Sequence, residues 1–363
     1  TGVLVARGRG AEIEGVTVIE VDDPRVALGD IARMHRQRWR GTLIAITGSA
    51  GKTTTKDLTA AALKSSGRVH ASAASNNNET GVPLTLLGLR PYHDFAVIEM
   101  GMRALGEIDY LANIARPAVA VVVNAGTAHV GMLGSPAAIA KAKGEIFGNH
   151  GGDVTAIYPA NDPRLANLAR SAPRSLSFAE SQDASACGAD VCLLSYRALG
   201  VQGSVLSLNY QDQVLDVDLP LVGKHNAINA CCALLAAIAA GANPKSASLS
   251  ISEVKAPSMR GEIREIAGRK ILVDCYNANP ASVDAALHML CELRAGQGAF
   301  AILGDMLELG NQSEESHKRI GEQAAELAIP VLAMGEYRKC VVEGAAGAGG
   351  IAWSAADPVA AAR

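Results

Sequence analysis

An α/β protein is predicted by three observations: continuous apolar strands alternate with helical stretches, a glycine-rich turn joins one such strand to the next helix, and the same alternation restarts after Pro257. Continuous rather than alternating apolar strands imply a mostly parallel sheet covered by helices on both faces. The chain has 363 residues, enough for two or three domains. Hydrophobic residues make up 49% and charged residues 19%, which supplies buried cores and excludes a disordered chain. Aromatics are only 4%, so the cores are aliphatic and a stacking platform for single-stranded nucleic acid is not expected. A net charge of −3 carries none of the basic surplus of a nucleic-acid or anionic-membrane binder.

Residues 3–6 and 16–21 read as short strands, and 27–40 as an Arg-rich helix running into a linker. The apolar run 42–47 is a strand, followed by the glycine-rich turn and a helix over 52–66. Residues 96–100 and 118–123 are further buried strands, with a helix over 106–115 between them that Pro117 stops. Another helix covers 136–148, with Pro136 in its first turn, where the missing N–H does no harm. Residues 190–219 break the rhythm with several strand-like runs, an antiparallel addition, before an Ala-rich helix over 224–241. After a boundary near 256–260 come strands at 270–275, 299–304 and 329–335 and helices at 281–295, 314–328 and 337–345, with 344–350 a Gly/Ala loop. The longest apolar run, 230–240, is short of the ~20 residues a membrane span requires. No charged-then-apolar leader opens the chain, and a cytoplasmic protein is expected from its cysteine usage. Seven cysteines without a C-x-x-C pair read as reduced, buried thiols. The first residue is Thr1, and 355–363 reads as an unfinished helix, which suggests a fragment of a longer protein.

The most informative stretch is Thr47-Gly48-Ser49-Ala50-Gly51-Lys52-Thr53-Thr54. It follows a strand and opens a helix, the context of a phosphate loop: glycines let backbone N–H groups turn toward an anion, and the helix N-terminus adds a favourable dipole. Lys52 would reach the outer phosphates, and the Thr53 hydroxyl would bind Mg²⁺. Ile46 stands where the common pattern has its first glycine, and no Asn-Lys-x-Asp selects guanine, which lowers the GTPase reading. Three further residues follow the next strands: Glu99 at a strand end, His129 just beyond another, and Lys143 on a helix, with Lys141 its near competitor. Singly, each has an ordinary explanation as a solvated side chain.

Together with residues 76–87, 99–101, 223–230, 274–280 and 303–310, these features resemble the Mur ligases, the ATP-dependent amide ligases of peptidoglycan precursor synthesis. The resemblance covers roughly residues 40–335. It implies a remnant of an N-terminal UDP-binding domain at 1–38, with most of that domain missing. It further implies a central ATPase domain at 39–256 with a phosphate-loop-type, mostly parallel sheet, and a truncated Rossmann-like C-terminal domain at 257–363. By resemblance, ATP phosphorylates the terminal carboxylate of a UDP-muramoyl tripeptide and the amine of D-Ala-D-Ala attacks the acyl phosphate.

The same resemblance assigns the nucleotide to Gly48, Ser49, Ala50, Gly51, Lys52, Thr53, Thr54, Asn226, Asn229, Arg260, Asp274 and Asn277. Catalysis falls to Lys52, His129 and Lys143. Two Mg²⁺ sites involve Thr53, Glu99, His129 and a CO₂-modified Lys143, and the muramoyl peptide lies along Asn76, Asn77, Asn78 and Thr80. Asn226 and Asn229, three apart, share one helix face. The implied partners are these small molecules, with no nucleic acid and no membrane span, and the chain is expected to act as a monomer that closes about a hinge near 255–258. Alternatives are another ligase of the group, of the folylpolyglutamate or cyanophycin type, a nucleotide-binding fragment without ligase activity, or a small-molecule kinase.

Overall fold

The computed structural model describes all residues except 1, 11–12, 74–75, 127–132, 184, 212, 295, 358–359 and 361–363. The chain opens with a parallel pair, β1 (Gly2–Ala6) and β2 (Thr17–Val21), and α1 (Pro24–Arg38). A long central section follows: β3 (Thr42–Thr47), α2 (Lys52–Leu63), β4 (Val69–Ala71), α3 (Gly81–Leu87), β5 (Phe95–Glu99), α4 (Glu107–Ala115), β6 (Val119–Val122) and α5 (Pro136–Gly144). It continues through β7 (Thr155–Pro159), α6 (Pro163–Ala169), β8 (Arg174–Glu180), β9 (Val191–Ala198), β10 (Ser204–Tyr210), β11 (Gln213–Leu219), α7 (Lys224–Ala239) and α8 (Pro244–Ile251).

These strands form one nine-stranded sheet in the order β11-β10-β9-β8-β7-β6-β3-β5-β4. The ladder from β4 to β9 is parallel, and β10 and β11 add antiparallel at one edge. The apolar run at β3 is buried on both faces, as its lack of alternation demands: Ile44 and Ile46 enter the core beneath α2 and α7, and Leu43 and Ala45 enter the core on the opposite face. Four helices start the same way, with a capping side chain followed by proline. Asp23-Pro24, Ser135-Pro136, Asp162-Pro163 and Asn243-Pro244 each satisfy a first-turn N–H and place the ring where no donor is lost. β3 sits between β5 and β6, so the turns after these three strands converge at the carboxyl edge of the sheet, where the chain switches direction.

The rest of the chain has its own smaller core. It comprises β12 (Glu262–Ile266), β13 (Arg269–Val273), α9 (Pro280–Arg294), β14 (Ala301–Leu303), α10 (Ser313–Glu326), β15 (Val331–Met334), α11 (Arg338–Gly347) and β16 (Ala352–Ala355). Here the structure departs from the sequence reading. The strand at 269–273 does not join the parallel sheet but pairs antiparallel with β12, an element the alternating Glu262–Ile266 run did not announce. The parallel sheet is β14-β15-β16. α11 continues through Gly347, because small residues let it pack closely on α10, where Gly321 and Gly344 have no room for a side chain. The cysteines differ too. Cys187 and Cys192 form a disulfide, because the loop before β9 folds back onto that strand, while the other five, including buried Cys231 and Cys232, are free.

Candidate active site

A cavity of about 1190 Å³ opens at the carboxyl edge of the large sheet. Its lining comes from the turn after β3, the end of β5, the start of α7, and residues 260–261, 274–279 and 307–309 of the second unit. α2 begins directly on the glycine-rich turn, so its first-turn N–H groups lack intrahelical partners and face the same side. Gly51 has φ 78°, and a Cβ there would lie 2.6 Å from Asn229 Oδ1. Only glycine fits that left-handed, closely approached position. Asn229 in turn donates to Asn226 Oδ1 at 3.3 Å, and Asn226 donates to Val222 O at 2.8 Å, so the two helix-start asparagines form one buried wall beside the turn.

Lys52 lies back over its own loop, its Nζ donating to Gly48 O at 2.7 Å. Burial lowers its proton affinity and Arg260 adds to this, with Glu99 opposing. Thr53 does not line the cavity. Its hydroxyl points below, donating to Glu99 Oε2 at 2.7 Å, and Asn77 Nδ2 donates to the other oxygen of Glu99 at 2.8 Å. Lys143 is 1% exposed yet lines the cavity, whereas Lys141 is exposed, so the helix separates the two lysines. Burial first, and the charge of Lys52 second, hold the Lys143 ammonium well below the ordinary lysine range. Arg260 stacks its guanidinium over the Tyr276 ring at 4.1 Å. Asp274 accepts from Gly261 N at 3.0 Å, and burial raises its carboxyl above the usual range.

The structure thus gathers Ser49, Ala50, Gly51, Lys52, Thr54, Glu99, Lys143, Asn226, Asn229, Arg260, Asp274 and Asn277 around one space. Gly48 and Thr53 lie just beneath it through their bonds to Lys52 and Glu99. The peptide-binding set divides. Asn77 and Asn78 line the cavity, but Asn76 and Thr80 do not, and Asn78 spends its carbonyl oxygen on the N–H groups of Thr80 and Gly81 at the start of α3. His129 lies outside the described residues. Sequence reasoning passed over Asn124, whose Oδ1 accepts from both Ser49 N and Ala50 N at 3.0 Å and so braces the glycine-rich turn from the end of β6. Its position one residue past a buried strand was the available signal. His225, deprotonated by burial with its proton affinity lowered to about 4, and Tyr276 also line the cavity. The two units meet nearby as well: Tyr196 Oη donates to Glu292 Oε2 at 2.5 Å and accepts from Gly223 N at 3.0 Å.

Comparison with known proteins decides the family. Residues 46–237 match the Mur ligase middle domain and 259–362 match the Mur ligase, glutamate ligase domain. The chain belongs to the Mur ligase family. Among members, it is 35% identical over 336 residues to the UDP-N-acetylmuramoyl-tripeptide–D-alanyl-D-alanine ligase of Bacillus subtilis, covering 92% of this chain and 71% of that one. It is 35% identical over 328 residues to the Escherichia coli ligase of the same name, covering 88% and 70%. The fold superposes on a crystal structure of MurF from Acinetobacter baumannii with a TM-score of 0.86 and 29% identity, over 97% of this chain and 81% of that one. For MurF ligase from Thermotoga maritima in complex with ADP, the TM-score is 0.81 at 26% identity, over 91% and 75%. No helix among the described residues is long and apolar enough to cross a membrane.

Proposed function

We propose that this Mur ligase joins D-Ala-D-Ala to UDP-N-acetylmuramoyl-tripeptide at the expense of ATP, in the synthesis of peptidoglycan precursors. The observation that carries the reading is the shared cavity. A phosphate-loop turn, a buried carboxylate and a buried lysine from the first matched segment face Arg260, Asp274 and Asn277 from the second. The relatives of that name and the ADP-bound neighbour support it.

ATP phosphates lie on the N–H groups opening α2 and on Lys52, whose amine leaves Gly48 O for the outer phosphates. Arg260, held flat on Tyr276, adds charge from the second unit, and Asn226, Asn229, Asp274 and Asn277 bound the nucleoside. A carboxylate oxygen of the tripeptide attacks the γ-phosphorus and ADP leaves. The amine nitrogen then attacks the acyl carbon, loses a proton, and the C–O bond to phosphate breaks. Both steps concentrate negative charge, so the chain's contribution is positioning and charge stabilisation rather than a covalent nucleophile.

Magnesium fits this donor set. Glu99 is buried, held only by neutral donors, and has no ion-pair partner among the described residues. An anionic, hard-oxygen group in that state suits a divalent cation. Among the described residues, however, no group of three His, Cys, Asp or Glu could hold one alone. Thr53, Glu99 and Lys143, with His129, would complete the set for two ions. When bound, these ions neutralise phosphate charge and polarise the reacting oxygens. Lys143 suits them as a carbamate: its buried, readily deprotonated Nζ attacks the carbon of CO₂, an N–C bond forms, a proton leaves and a carboxylate results. The enzyme is taken to act as a monomer, and its use of ATP and a UDP-linked substrate supports a cytoplasmic reaction. The test is phosphate release with each substrate omitted in turn. Release requiring both the UDP-tripeptide and D-Ala-D-Ala supports the reading, and release indifferent to the amine contradicts it.

A further inference from the structure

We propose that His317 is a positioning residue for the amine acceptor: through one hydrogen bond it clamps the 305–309 stretch that walls the cavity. The proposal rests on the ligase reading above. His317, on α10, is 1% exposed. Its Nδ1 lies 2.7 Å from Ser313 O, one turn back along the helix, and its Nε2 lies 2.9 Å from Met306 N. A carbonyl can only accept and a backbone amide can only donate, so both contacts are made only by the neutral ring with its proton on Nδ1. The ring also stacks on Tyr337, with centroids 4.6 Å apart.

Asp305 is fixed by a second set of bonds, accepting from Glu336 N at 2.8 Å and Tyr337 N at 3.1 Å. A side chain at Gly335 would collide with that carboxylate. Asp305 and Met306 are therefore tied to α10 and to the turn before α11, and the next three residues, Leu307, Glu308 and Leu309, run along the cavity. This stretch belongs to no helix or strand, and Glu308 has φ 62°, a left-handed conformation that costs a non-glycine residue energy. Contacts, not local preference, hold its shape. On the ligase reading the phosphate loop, the α7 asparagines, Arg260, Asp274 and Asn277 take the nucleotide and Asn77 and Asn78 the peptide. The walls that remain lie chiefly within 101–111, 278–285 and 307–309, and of these the amine is assigned to the clamped stretch 307–309.

Steady-state kinetics of two variants test this. His317→Phe keeps the ring and its stacking but leaves the Met306 N–H buried without an acceptor, whereas His317→Gln offers a carbonyl oxygen where Nε2 lay. The Phe variant should raise KM for D-Ala-D-Ala about tenfold or more, as loss of a buried donor's partner implies, with KM for ATP within about twofold, and the Gln variant should recover most of the loss. An unchanged acceptor KM in His317→Phe, or equal rises in both KM values, would overturn the proposal. Nitrogen NMR of the wild-type protein supplies a readout that survives poor folding of either variant: a neutral Nδ1–H tautomer for His317 is expected, and any other form at neutral pH is contrary to the clamp. If the wild type itself shows no amine-dependent phosphate release, the ligase reading fails by that measurement. The clamp is then judged by whether Met306 amide exchange speeds up in His317→Phe, which upholds it, or stays the same, which refutes it.

Discussion

Thr53 Oγ1 donates a 2.7 Å hydrogen bond to Glu99 Oε2, tying the first turn of α2 to the end of the neighbouring strand β5. The bond lies beneath the cavity and fixes the carboxylate at its lining. Glu99→Gln removes the charge and keeps an acceptor for Thr53, while its new amide N–H faces Asn77, whose side-chain amide must flip to accept it. Its kcat for phosphate release should fall about a hundredfold or more, the range for losing a charge-stabilising group, while its melting temperature stays near that of the wild type. Wild-type turnover in this variant would take Glu99 out of the reaction.

Lys143 predicts opposite effects on activity and stability. Lys143→Ala should abolish ligation, and an added short carboxylate should restore part of it, as expected if a carbamate is the working group. Lys143→Met should also be inactive yet more stable by about 1 kcal/mol, because a buried amine is exchanged for an apolar chain of similar length. The pH dependence has a definite sign. Burial lowers the folded-state proton affinity below the unfolded value of 10.5, so the unfolded chain binds more protons in the interval between the two. The destabilisation is full below the folded value and fades as pH rises toward 10.5. Urea melts of wild type and Lys143→Met in CO₂-free buffer, where Lys143 stays an amine, should therefore converge as pH rises through that interval.

Much of this architecture was legible in the sequence. The buried strands 42–47, 96–100 and 118–123 are continuous apolar runs, and the glycine-rich turn between a strand and a helix is where one wall of the cavity lies. What escaped is what depends on tertiary approach. Asn124 looks like any loop asparagine until β6 is laid beside β3, when its side chain reaches Ser49 and Ala50. Asn77 is expected from the sequence to hold the peptide, and its bond to Glu99 was not foreseen. The antiparallel β12–β13 pair and the Cys187–Cys192 bond are both made by chain reversals that carry no periodic signal. The sequence favours Lys143 over Lys141, and the helix buries Lys143 at the cavity while exposing Lys141.

Gly51 offers a test of backbone geometry. Gly51→Ala places a Cβ in a left-handed position, costing about 1–2 kcal/mol. It also drives that Cβ to 2.6 Å from Asn229 Oδ1. Nucleotide affinity by calorimetry should drop about tenfold or more, and Asn229→Ala in the same chain should relieve only the steric part. Undiminished affinity in Gly51→Ala would mean the turn does not receive phosphates.

Arg260 tests the contribution of the second unit. Its planar guanidinium lies 4.1 Å over the Tyr276 ring, an arrangement an ammonium does not reproduce. Arg260→Lys should lower kcat/KM for ATP, with a stacking component of about 1 kcal/mol or roughly fivefold, and Tyr276→Leu should move it in the same direction while Tyr276→Phe does not. Equal efficiency for Arg260→Lys and wild type would remove the stacked geometry from the account.

The central claim is that ATP activates a carboxylate as an acyl phosphate before the amine attacks. Heavy-oxygen label in the terminal carboxylate of the UDP-muramoyl tripeptide tests it most directly, read by mass spectrometry of the released phosphate. One labelled oxygen is expected in each phosphate released during ligation. Unlabelled phosphate accompanying amide formation would contradict it.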